Sequence, residues 1–137
     1  MFSSQEISDI KKLLSPYKNI VIITHHNPDG DAIDSSLGLK NFLKNKGIDA
    51  TVLVPNDFPK FLKWMPNSKE VIIAEYKRKL AGEAIYKADV IFCLDFNTAS
   101  RIGILGDWLT KSWAKKILID HHQQPDRFYN FRSAGCP

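Results

Sequence analysis

Cysteine is nearly absent, with two in 137 residues. Cys93 stands inside an apolar run and Cys136 next to the last residue, so neither a disulfide framework nor the paired spacing of a structural zinc site can be built. Cys93 is expected to be a small core residue. Long apolar runs are missing too. The longest, 20–23 and 90–94, fall far short of the ~20 residues a helix needs to cross a bilayer. The first residues also lack the basic start and apolar stretch of an export signal. The expectation is a cytoplasmic protein without a membrane anchor. Seven glycines and seven prolines exclude collagenous and low-complexity classes, and neither an internal repeat nor an interdomain linker is visible. What is there is a globular balance of 44% hydrophobic and 25% charged residues, in a length that suits one domain or part of one.

The net charge is +4, a modest excess that somewhat favours anionic partners. The placement of the acids says more. Asp29, Asp31, Asp34, Asp95 and Asp120 fall in or beside three short segments. All four histidines form two adjacent pairs, His25 with His26 and His121 with His122, touching those same segments. Local acidity joined to imidazoles in a basic chain points to bound cations.

Periodicity along the chain predicts an α/β fold, a mainly parallel β-sheet flanked by helices. Ser3 and Glu6 have capping-box spacing ahead of a helical face of Ile7, Ile10, Leu13 and Leu14 that Pro16 stops. A β-branched strand over 19–24 runs into the turn-rich HHNPDGD. From Ala32 a helix with Ile33, Leu37, Phe42 and Leu43 as its apolar positions is closed by Gly47. A strand over 50–54 completes a βαβ unit. The segment 58–68 reads as a short helix on the sheet edge, with Phe58, Phe61, Trp64 and Met65 used for core packing in preference to base stacking. Strands over 71–74, 89–94 and 116–119 and helices over 76–88 and 105–113 follow. Lys77, Arg78 and Lys79 read as a solvated helix face, with a phosphate-binding patch as the alternative. Three strands thus deliver Asp and His residues just beyond their carboxyl ends, where open parallel sheets place their ligands.

The loop from His25 through Asp29 to Asp31 holds an imidazole and two carboxylates, made tight by Pro28 and Gly30. Carboxylate oxygens mixed with imidazole suit manganese or similar divalent ions better than the thiolate-rich chemistry of structural zinc. The competing reading is a solvated turn with Asp31 as a helix N-cap. A turn alone, however, does not require Asp95 and the Asp120-His121-His122 triplet at the ends of further strands.

These residues resemble the DHH phosphoesterases, named for an Asp-His-His triplet. The triplet here lies within ILIDHHQQPD, the first family motif appears as HHNPDGDAIDSS, and the second as LDFNTASRIG. The wording looks most like the branch of bacterial oligoribonucleases that also dephosphorylate phosphoadenosine phosphate (pAp), over roughly residues 5–131. The resemblance implies a Rossmann-like domain with two Mn2+ ions, Mg2+ or Co2+ being substitutes. His25 and Asp29 would hold one ion, Asp31 and His121 the other, with Asp95 shared by both. His122 would face the substrate phosphate and Asp120 would orient an imidazole. His26 matches no ligand position and would line the site or stand exposed.

Asp34 departs from the family pattern, which usually has glycine there. The family also has a further metal-binding aspartate and a smaller substrate-binding domain, which we expect to lie outside these 137 residues. Residues 1–131 would then be an incomplete catalytic domain and 132–137 a tail outside the pattern. The expected partners are short oligonucleotides or pAp as substrate, no membrane, and a homodimer as an open option. A manganese-dependent inorganic pyrophosphatase, or a catalytically weak metal- or nucleotide-binding fragment, are the alternatives.

Overall fold

A computed structural model describes Gln5, Lys12, residues 19–25, 28–94, 102 and 105–119, and the backbone of 131–133. Gln5 and Lys12 are helical; the rest of the expected first helix lies outside the described residues. Ile20–Ile23 forms β1, buried at all four positions. Its alternating side chains feed two cores, Ile20 and Ile22 on one face and Val21 and Ile23 on the other. This is why the strand reads as an unbroken apolar run.

The other strands are β2 (Ala50–Val54), β3 (Ile72–Ile73), β4 (Val90–Leu94), β5 (Lys115–Ile119) and β6 (Phe131–Ser133). They form one six-stranded sheet in the order β3-β2-β1-β4-β5-β6, and every pairing is parallel. β6, which periodicity does not reveal, pairs Phe131 to Ser133 with Ile117 to Ile119. Helix α1 (Gly30–Asn45) and the segment after β2 cover one face through Ile33, Leu37, Phe58 and Leu62. Helices α2 (Arg78–Lys87) and α3 (Leu105–Lys111) cover the other through Ala81, Ile85, Leu105 and Leu109. Among the described residues no helix is long and apolar enough to cross a membrane.

Helix α1 ends as its sequence predicts. Gly47 takes φ +79°, its N–H donates to the Lys44 carbonyl, and the Ile48 N–H donates to the Leu43 carbonyl, both at 2.9 Å. This is the paired closure that a left-handed glycine permits.

Three aromatic residues expected in the core are not there. Phe42 is 57% exposed because it lies nine residues after buried Ile33, about two and a half turns on, and so on the opposite side of the helix. The segment after β2 forms a 3-10 turn at Lys60–Leu62. Its three-residue spacing sends Leu62 and Met65 inward while Phe61 and Trp64 stay exposed. Phe58 and Met65 do pack on the core, as expected.

Candidate active site

The strand order has a reversal point between β1 and β4, the two strands from which the chain winds outward in opposite directions. Doubly wound sheets bind ligands in the crevice at the carboxyl ends of such strands. Ile23 is level with Cys93, and Cys93 with Leu118, so β1, β4 and β5 end side by side. Thr24 fixes this level. Its buried hydroxyl donates to the Leu94 carbonyl at 3.1 Å, tying the last turns of backbone before His25 and before Asp95. His25, 8% exposed, follows directly.

Pro28 is buried, whereas Asp29 and Asp31 are exposed at the start of α1. Asp29, not Asp31, is the N-cap: its Oδ1 accepts from the Ala32 N–H at 2.9 Å. Asp31 sits in the first turn, where a carboxylate is also favoured by the helix dipole. The capping bond holds the Asp29 carboxylate in one orientation. Sequence reasoning missed this capping role of Asp29, although an Asp three residues before the amide it caps is a readable signal. Asp34 is exposed and, three residues after Asp31, lies on the same side of the helix. Ser36 in the same motif is structural, its buried hydroxyl donating to the Ala32 carbonyl at 2.7 Å.

The remaining predicted site residues, Asp95, Asp120, His121 and His122, lie outside the described residues, as does His26. β4 ends at Leu94 and β5 at Ile119, so Asp95 and Asp120 are the next residues in the chain. Among the described residues alone, no group of three or more His, Cys, Asp or Glu side chains could hold a metal ion. His25, Asp29 and Asp31 therefore do not make a closed site by themselves. Their donors are an imidazole and two carboxylates, the set that suits manganese. The one described thiol, Cys93, is fully buried in the core as expected, and burial pushes its pKa well above the ordinary value.

The chain belongs to the DHH family: the family's N-terminal domain matches residues 19–136. It is 49% identical over 110 residues to the bifunctional oligoribonuclease and PAP phosphatase NrnA of Thermus thermophilus. That match takes in 80% of this chain but 29% of the relative, so the chain spans less than a third of that protein's length. A crystal structure of an exopolyphosphatase-related protein from Bacteroides fragilis superposes with a TM-score of 0.92 at 42% identity, over 97% of this chain and 39% of that one.

Proposed function

We propose that this chain supplies the metal-holding part of a phosphoesterase that hydrolyses short oligoribonucleotides and pAp. The observation that carries the reading is the three-motif layout across the strand-order reversal. His25, Asp29 and Asp31 follow β1, Asp95 follows β4, and the Asp120-His121-His122 triplet follows β5, while these three strands end level with one another. The identity to an enzyme named for both activities supports the substrate class.

In this reading His25 and Asp29 hold one divalent ion, Asp31 and His121 the other, and Asp95 is shared. The bound ions would supply an acidified water and neutralise charge on the phosphoryl oxygens. The chain's own residues do the rest. The Ala32 N–H, donating to the capping Oδ1, keeps the Asp29 carboxylate from rotating, and the Thr24 hydroxyl ties together the ends of β1 and β4, which His25 and Asp95 follow in the chain. His122, when protonated, donates to the charge developing on phosphate, and Asp120 accepts an imidazole N–H to orient the ring.

The test is phosphate and nucleotide release from a diribonucleotide, pAp and inorganic pyrophosphate with manganese. Hydrolysis of the first two that falls at least about 100-fold in Asp95→Asn and changes little in His26→Ala supports the roles. Equal losses in both variants would sink them. Turnover of pyrophosphate alone would favour the pyrophosphatase alternative.

A further inference from the structure

On the face away from α1, a groove of about 750 Å³ runs between α2 and α3. Both helices follow a strand's carboxyl end and lead to the next strand's start, so the groove runs from the carboxyl edge of the sheet to the opposite edge. Its walls are aromatic. Trp108 lies against Gly82, its ring 3.7 Å from where a Cβ would stand, while Tyr86 and Trp113 are 84% and 98% exposed. Its rim is basic: among the described residues, Arg78, Lys79 and Lys111 line it against a single acid, Glu83. The Arg78 guanidinium already stands 5.9 Å from the Trp108 ring centroid.

The exposed rings of Tyr86 and Trp113, interleaved with cations, are what a single-stranded nucleic acid needs, since any base can stack and each phosphate finds a positive partner. A helix of ten residues gives the groove a length of ~15 Å, room for about four stacked nucleotides at 3.4 Å each. A second copy of this chain fits less well, because a two-fold contact would set the same three cations against themselves. We propose that the α2–α3 groove is a second, non-catalytic site for single-stranded nucleic acid. Bases stack there on Trp113 and Tyr86, with half-buried Trp108 as the floor between the helices, and phosphates pair with Arg78, Lys79 and Lys111. The proposal goes beyond the phosphoesterase reading and does not depend on it.

The experiment is fluorescence anisotropy of a labelled oligoadenylate of about six nucleotides, titrated with the whole chain in EDTA so that no hydrolysis intervenes. Trp113→Ala, a change at a solvent-facing position, should weaken binding about tenfold, and Tyr86→Ala should weaken it too. Arg78→Gln with Lys111→Gln should flatten the slope of log affinity against log salt by about 1.4. Asp29→Asn should change neither quantity. No binding, binding untouched by all the groove variants, or binding lost only with Asp29→Asn would each overturn the proposal. So would a concentration-dependent dimer that Trp113→Ala dissolves while no oligonucleotide binds, which would assign the groove to a second copy. Manganese-dependent hydrolysis by Asp95→Asn is read separately, so failure of the catalytic assignment and failure of the groove are told apart.

Discussion

In the proposed reading Asp29 meets two demands with one carboxylate, the observed cap and the proposed metal, and they can be separated by chemistry. As an N-cap it needs only an oxygen for the Ala32 N–H, which asparagine supplies equally well. As a metal ligand it needs charge. Asp29→Asn should therefore leave the urea midpoint almost unchanged while abolishing manganese binding measured by calorimetry. Asp29→Ala should lose binding and in addition about 1 kcal/mol of stability. If the Asn variant binds manganese normally, Asp29 is a cap and nothing more. Asp34 poses a simpler question. It is exposed on the side of α1 that carries Asp31, so in the proposed reading its charge would add to the field an incoming phosphate meets. Asp34→Asn should lower KM for pAp with kcat unchanged, and the gain should shrink as salt screens the charge. A fall in kcat instead would give Asp34 a part in the chemistry.

At the scale of elements, β1 and β4 are held level at their ends by one hydroxyl. Thr24→Val keeps the shape but leaves the buried Leu94 carbonyl without that donor, a loss of about 1–3 kcal/mol readable by chemical denaturation. A cost near zero would mean the strands are held level by their ladder alone. The strands themselves were legible because β-branched runs such as 20–23 have few other uses, and Gly47 marked the end of α1 correctly. The candidate site residues stand out in the sequence because they lie in contiguous motifs directly after strand ends, and of them the structure describes His25, Asp29 and Asp31. What could not be read follows from geometry the sequence does not carry. Phe42 looks like core by composition, yet helical phase turns it outward. Phe61 and Trp64 stay exposed because a 3-10 turn, not an α-helix, sets their spacing. The three-residue β6 is too short to have a period, and only pairing with β5 makes it a strand. The aromatic groove between α2 and α3 needed both helices in place before Tyr86, Trp108 and Trp113 could be seen as neighbours.

For the whole molecule, two buried groups on the α2–α3 side of the sheet make stability depend on pH in opposite directions. Cys93 has its pKa raised from an ordinary 9.0 by burial, the nearby Lys116 charge opposing this only in part. Above pH 9 the unfolded chain loses this proton while the native chain keeps it, so the native state binds more protons and stability falls as pH rises. The slope approaches about 1.4 kcal/mol per pH unit once the unfolded thiol is ionised. Lys116 is also buried, and desolvation lowers its pKa from 10.5, with the Cys93 interaction raising it and Lys115 lowering it further. Its ammonium still donates to the Ser112 and Ala114 carbonyls at 2.9 and 3.2 Å. Between the lowered value and 10.5 the native chain sheds this proton first, so the unfolded state binds more protons and stability rises with pH in that window. The two contributions partly cancel in the native protein. Urea unfolding between pH 8 and 10.5 should therefore show a shallower alkaline decline in Cys93→Ala than in the unaltered chain. In Lys116→Met, which loses the compensating rise, the decline should be steeper. Three parallel curves would mean that neither group titrates differently on folding, and that the burial seen at these positions is relieved by water in solution.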